Sequence, residues 1–142
     1  MEGSKDLGAL IGRIMLALIF VMSGFSKITG FAGTAGFMQG AGIPGALVMP
    51  GLILSILVEL GCGLLIVIGF RTTFAALVIF VWLIPVTYIF HFVPFHNASA
   101  PDQAMTRMIN MIMLMKNLSM MGGLLFLAAM GPGAYSAEGA RA

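Results

Sequence analysis

Four long apolar segments constrain this chain more than any other feature of its sequence. They cover residues 7–28, 47–70, 74–92 and 107–130. Each comes close to the roughly 20 apolar residues that an α-helix needs to cross the hydrocarbon core of a bilayer. Since a backbone inside a bilayer must satisfy its own hydrogen bonds, such segments form helices. The pattern predicts an all-α membrane protein, a single domain over residues 1–142 with a bundle of four transmembrane helices.

The scarcity of charge excludes the soluble alternatives. Only 8% of the residues are charged and 60% are hydrophobic, whereas a soluble domain carries roughly 25% charged residues. Such a chain cannot cover a surface that faces water, which excludes an ordinary cytosolic enzyme. Its seven basic residues are also too few for a nucleic-acid-binding surface. The expected surroundings are a lipid bilayer, with no nucleic acid as a partner.

A shorter apolar segment follows the first span. Residues 31–41 are too few to cross a bilayer, and Gly36 and Gly40 lie four positions apart within them. Gly42 and Pro44 are typical residues at the end of a helix. The segment is therefore predicted to form a short interfacial or re-entrant helix.

The sulfur and imidazole side chains of the chain do not form a recognisable metal-binding pattern. The single cysteine, Cys62, excludes a CxxC redox pair. His91 and His96 have no acid or thiol set beside them in sequence, so no metal site is predicted. The chain also has 13 methionines, many of them at the start of the fourth span. Thioethers bind Cu(I), but a methionine face also packs well against lipid or a second subunit, and we expect packing.

Charged side chains inside the predicted spans are the strongest indicators of function, because such residues are costly in a bilayer and usually face partners. Glu59 lies about 12 residues into the second span and Lys116 about 9 residues into the fourth, which at 1.5 Å per residue is roughly 18 and 14 Å deep. These depths predict an ion pair near the midplane. Arg13 is expected either to reach Glu59 or to extend to the headgroups. The predicted intramembrane polar network is Arg13, Glu59, Lys116 and Asn117.

A second polar cluster is predicted at the outer edge of the bundle. Lys27 ends the first span, His91 ends the third, and His96 follows in a loop. Lysine and histidine can hydrogen-bond a quinone carbonyl, and histidine can relay a proton near neutral pH. For the intramembrane network, a polar clasp that fixes the helices in register and a site for protons or quinone both stay open. For the outer-edge cluster, the alternative to quinone contact is that Lys27 extends to the headgroups and His91 caps the end of a kinked helix.

The distribution of basic residues predicts the orientation of the chain. Four spans place both termini on one side of the membrane, with Lys5, Arg71 and Arg141. The opposite side carries Arg107, with Lys27 near its edge. Because basic residues are enriched on the cytoplasmic side, the termini are predicted to be cytoplasmic.

Several sequence motifs resemble those of the DoxX family of bacterial inner-membrane proteins, and the resemblance covers nearly the whole chain. The matching motifs are SGFSK at 23–27, AGIP at 41–44, ELGCGLLIVIGFRT at 59–72, KNLSMMGGLL at 116–125 and GPGAYS at 131–136. The order of the polar residues is also similar to the family's pattern: Arg13, Lys27, Glu59, Arg71, His91, Lys116 and Asn117.

The resemblance implies a function only in outline. The family takes its name from a relative in a thiosulfate:quinone oxidoreductase. The resemblance implies an accessory or anchor subunit of a membrane-bound, quinone-linked redox complex, with no intrinsic cofactor and with quinone as a candidate ligand. It assigns no catalytic residue. Two alternatives stay open: a purely structural subunit, which packs on another membrane protein or on copies of itself, and a small transporter or ion-handling protein.

Overall fold

A computed structural model describes residues 2–139 of the chain, and within them it contains no strand. Four of the helices are long and apolar enough to cross a membrane. The fold is therefore the predicted all-α membrane bundle with a short helix after the first span. We number the helices α1 (Glu2–Thr29), α2 (Phe31–Gly40), α3 (Gly45–Ile68), α4 (Thr72–Asn97) and α5 (Ala104–Met130).

The four long helices alternate in direction and pack in two pairs. α1 packs along α3 and α4 packs along α5, while α3 also contacts α4 and joins the pairs. We call the end that carries the turn between α3 and α4 the terminal end, because α1 starts there and α5 finishes there. The other end carries α2 and the connection between α4 and α5, and we call it the loop end.

Small residues bring α1 and α3 into close contact. Gly24 lies against Leu60 so tightly that a Cβ atom there would sit 2.7 Å from the Leu60 Cβ and 2.8 Å from its backbone nitrogen. One turn further on, a Cβ at Gly63 would sit 3.0 Å from Val21 Cγ2. Glycine allows two helix backbones to approach in this way. This close contact fixes the position of α1 along the axis of α3.

The third span is longer than predicted. Residues 74–92 were expected, with His96 in the loop that follows, but α4 continues to Asn97. A π-helical turn over Tyr88–Phe92 carries the helix onward. Pro94 then stands at the start of the last α-helical stretch, directly after this π-helical turn. His96 therefore lies on a helix, and the prediction of a loop there was wrong.

Candidate functional site

A cavity of about 390 Å³ lies between the helices, with residues of all five in its wall. Its volume falls in the range of about 300–1,000 Å³ that is typical of small-molecule sites. Apolar side chains form most of the wall, including Phe20, Leu83 and Val86. The lining side chains that can form hydrogen bonds are Ser23, Lys27, Thr34, Ser55, Glu59, Trp82, His91, Lys116 and Asn117.

An ion pair between α1 and α3 forms one wall of the cavity. Lys27 Nζ lies 2.7 Å from Glu59 Oε2, and the side chains are 21% and 8% exposed. Lys27 also donates to Ser23 Oγ at 2.6 Å, while Ser55 Oγ donates to Glu59 Oε1 at 3.0 Å. Additional hydrogen bonds of this kind are what a buried ion pair needs to offset its desolvation. The pair is therefore held in one geometry from both sides.

The partner of Glu59 differs from the predicted one. Glu59 was expected to pair with Lys116 or to be reached by Arg13, yet it pairs with Lys27. The reason is the offset between α1 and α3. From the Gly24–Leu60 contact, α1 continues only about 8 Å toward the loop end, whereas α3 continues about 22 Å. Lys27, at the end of its own helix, is thus level with the middle of α3.

The backbone around Glu59 is also irregular. Glu59 lies in a π-helical turn over Leu57–Cys62, which adds one residue to the turn. Such turns are rare in helices and are frequently found at functional sites. The sequence gives no signal for this turn, because a single acidic residue in an apolar span does not distinguish a π-helical turn from an α-helix.

Several hydrogen-bonding groups in the cavity have no strong partner. Within residues 2–139, Lys116 Nζ has a hydrogen bond only to Met113 Sδ, at 3.4 Å, and a thioether is a weak acceptor. Trp82 Nε1 and His91 Nδ1 are buried and have no hydrogen-bond partner within residues 2–139, although the His91 side chain also interacts with the side chain of Asn110. Because buried polar groups are nearly always satisfied in native proteins, such groups indicate a site that receives its partners from a ligand.

Asn117 joins two helices at the wall of the cavity. Its side chain is 3% exposed, and its amide nitrogen donates to Thr87 Oγ1 at 2.9 Å. This bond links α5 to α4 one residue from Lys116. Asn117 and Lys116 thus line the same cavity as Glu59, although no direct bond joins them to Glu59 in the described residues.

Arg13 lies outside the cavity, contrary to both expectations for it. Its guanidinium donates to the carbonyls of Val67 at 3.3 Å, Tyr135 at 2.8 Å and Pro132. Arg13 is 3% exposed, so it neither reaches Glu59 nor extends to the headgroups. A cation at the carbonyl end of a helix is favourable. Arg13 therefore clamps α3 to the segment that follows α5.

The segment after α5 completes this clamp. The backbone N–H groups of Ala137 and Glu138 donate to the carbonyls of Ile68 and Gly69, both at 3.1 Å. Glu138 Oε1 accepts from the N–H of Thr72 at 3.2 Å, and a carboxylate at the start of a helix is favourable. These contacts give the terminal end a structural role, separate from the cavity.

The predicted outer-edge cluster is divided by the fold. Lys27 and His91 both line the cavity, but His96 does not. The His96 ring stacks on Phe92 one turn earlier on α4, with centroids 6.3 Å apart, and its side chain is exposed. Lys27 and His91 thus lie in the same cavity as Glu59, Lys116 and Asn117. The prediction that His96 lies with them was wrong.

The short helix α2 covers the cavity at the loop end. Thr34, Phe37 and Met38 of α2 contribute to its wall. The Phe37 ring stacks on Phe90 of α4 with centroids 5.5 Å apart. The predicted interfacial helix therefore closes the site from the side opposite the terminal end.

Several hydrogen-bonding residues of the wall were missed by the sequence reasoning, among them Ser23, Ser55 and Trp82. Ser23 and Ser55 each precede a charged residue by four positions, which places the two side chains on the same face of a helix. That spacing was a usable signal for the partners of Lys27 and Glu59. Trp82 had no such signal, because a tryptophan in an apolar span is also typical of a lipid-facing or packed position.

Comparisons with known proteins identify the family to which the chain is similar. The sequence profile of the DoxX family matches residues 8–92, which include Lys27, Glu59 and His91. Inner membrane protein YqjF of Escherichia coli (strain K12) is 38% identical over 138 residues, which cover 97% of this chain and 95% of the relative. Inner membrane protein YphA of the same strain is 36% identical over 129 residues, 91% of this chain and 86% of the relative. No solved structure matches the chain significantly.

Proposed function

Because the chain belongs to the DoxX family and is an integral inner membrane protein, we propose that it is an accessory subunit of a membrane-bound redox complex that binds a quinone in its cavity. The observation that carries this proposal is an apolar cavity with unpartnered donors. A quinone combines an apolar ring with two carbonyl acceptors, so it matches both properties. When bound, it supplies the transfer of electrons and protons between membrane enzymes.

The residues of the cavity can each be assigned a role toward such a ligand. Lys116 Nζ and Trp82 Nε1–H donate to carbonyl oxygens, and His91 adds a donor or acceptor according to its tautomer. The Lys27–Glu59 pair forms a charged wall beside the head group. Apolar side chains from α1 and α4 pack on the ring and exclude water, which strengthens each hydrogen bond in the site.

The distribution of charge in the fold supports cytoplasmic termini. The ammonium group of Lys27 is bound in the ion pair and Arg13 is buried. Neither residue therefore counts among the basic residues that flank a span. Lys5 and Arg71 then remain at the terminal end, against Arg107 at the loop end. By the positive-inside rule the terminal end faces the cytoplasm. Arg141, which was counted on the same side, lies outside the described residues.

The single tryptophan of the chain allows a direct test of quinone binding. Trp82 lines the cavity, and quinones quench tryptophan fluorescence on close contact. We expect a short-chain benzoquinone, titrated into the purified protein in lipid nanodiscs, to quench Trp82 with a saturable component. Saturation distinguishes a bound quinone from one that is merely dissolved in the lipid.

Two glycines of α3 provide matched variants for this titration. Gly51 lines the cavity, whereas Gly61 faces open space, and a Cβ added there would have no atom within 4 Å. The substitution Gly51→Leu fills the cavity and is expected to abolish saturable quenching, while Gly61→Leu retains it. Purely linear quenching in the unmodified protein would contradict the proposal and favour a structural subunit without a ligand.

A further inference from the structure

The charges that line the cavity do not balance. Lys27, Glu59 and Lys116 are the fully charged residues in its wall. Lys27 and Glu59 neutralise one another at 2.7 Å, which leaves Lys116. In the part of the chain that the structure describes, its ammonium group has only the sulfur of Met113 as a hydrogen-bond partner, at 3.4 Å. The site therefore carries one positive charge in excess.

No acidic side chain in the described part of the chain is placed to balance Lys116. Asp102 lies 14 residues before it near the start of α5, which is about 21 Å along the helix. Glu138 lies at the terminal end, where it bonds to the N–H of Thr72. Asp6 lies in the first turns of α1, also at the terminal end. His91, the remaining titratable neighbour, can add positive charge but no negative charge.

An unpaired ammonium group at this depth is unfavourable. Charged groups in a membrane interior pair with one another or line a cavity that serves a substrate, and a buried charge without a partner is strongly disfavoured. Lys116 lies near the middle of α5 and is only partly exposed. A ligand with a negative charge would restore the balance that the protein alone lacks.

We propose that the cavity selects a quinone whose head group is an anion, with Lys116 as its counter-charge. This inference rests on the proposed function and specifies the form of quinone that is bound most tightly. An ionised ring hydroxyl of a hydroxylated quinone provides such a head group. Trp82 and His91 then bind the remaining oxygen atoms, and the Lys27–Glu59 pair stays intact.

Two probes that differ in charge and share a ring system test the inference. 2-Hydroxy-1,4-naphthoquinone is an anion at neutral pH, whereas its 2-methoxy analogue is neutral. In nanodiscs of zwitterionic lipid, saturable quenching of Trp82 gives the affinity of each probe. We expect the anion to bind about tenfold more tightly or better, because hydrogen bonds to charged groups are the stronger ones. The neutral probe partitions more readily into lipid, so partitioning works against this result.

Two variants of α5 identify the counter-charge. Lys116→Met is expected to remove the preference for the anion. The variant should weaken binding of both probes, because both lose a hydrogen-bond donor, but the anion should lose more because it also loses its counter-charge. Arg107→Met is the matched control. Arg107 is a cation on the same helix but lies over the ring of Phe95 at 4.9 Å, away from the cavity, so its loss should leave the preference unchanged.

The outcomes separate this inference from the proposed function. Saturable binding of both probes with equal affinity would overturn the anion preference and leave quinone binding in place. A preference that survives in Lys116→Met would exclude Lys116 as the counter-charge and overturn the inference. Saturable binding of neither probe would contradict the proposed function itself.

Discussion

Replacing Glu59 with Gln is expected to lower the free energy of unfolding by about 3–5 kcal/mol, the range for removing one partner of a buried ion pair. Glutamine keeps the shape of the side chain and can still accept from Ser55, but it cannot neutralise Lys27. The Lys27 ammonium group, bonded to Ser23 and Glu59 in the native protein, would then be an uncompensated charge. Because Lys27 is 21% exposed, we expect the lower half of the range. Helix content during denaturant unfolding in mixed micelles measures the change.

The double variant Lys27→Met with Glu59→Leu is the control for this prediction. It removes both charges, and replacing a buried pair with apolar side chains of similar volume is often neutral or stabilising. The double variant should therefore be more stable than Glu59→Gln alone. Equal stability of Glu59→Gln and the unmodified protein would show that the pair is not held as described. Equal instability of the single and double variants would show that shape, and not charge, determines the effect.

The substitution Gly24→Ala is expected to be destabilising by about 1–3 kcal/mol, the usual cost of an added group in a close-packed core. The new Cβ would lie 2.7 Å from Leu60 Cβ and 2.8 Å from the Leu60 backbone nitrogen. Since a backbone atom cannot rotate away, α1 and α3 must separate. Lys27 follows Gly24 by three residues on α1, so the separation should also disturb the ion pair and weaken saturable quenching of Trp82.

Gly122 supplies the matched control for Gly24. It lies in the interior of α5, and an added Cβ there would have no atom within 4 Å. Alanine favours a helix over glycine by roughly 1 kcal/mol, so Gly122→Ala should be as stable as the unmodified protein or more so. If Gly24→Ala and Gly122→Ala have the same stability, the close contact between α1 and α3 does not exist in the membrane.

The spans were predictable because hydropathy and length alone decide whether a helix can cross a bilayer. The partner of Glu59 was not predictable in this way. Counting residues into each span assumes that all four spans begin at the same depth in the membrane. The Gly24–Leu60 contact shifts α1 relative to α3, and this shift depends on tertiary packing. The same limit explains why Lys27 and His91 were assigned to one cluster and Glu59 and Lys116 to another, although all four line one cavity.

Arg13 and His96 show two further limits of sequence reasoning. The partners of Arg13 are backbone carbonyls, which every residue has, so no side-chain pattern indicates them. His96 was assigned to a loop because Pro94 and Pro101 flank it in a polar stretch. A π-helical turn, followed by a proline at the start of the last α-helical stretch, continues the helix through this region. The amino-acid composition of the segment does not indicate this arrangement.

The central claim is that the cavity holds a quinone, and the quinone content of the protein extracted from its own membranes tests it most directly. Unmodified protein and the Gly51→Leu and Gly61→Leu variants would be purified identically in mild detergent, and quinone per chain determined by extraction and chromatography. We predict near-stoichiometric quinone in the unmodified protein and in Gly61→Leu, and background levels in Gly51→Leu. Equal quinone in all three, or background levels in all three, would contradict the claim.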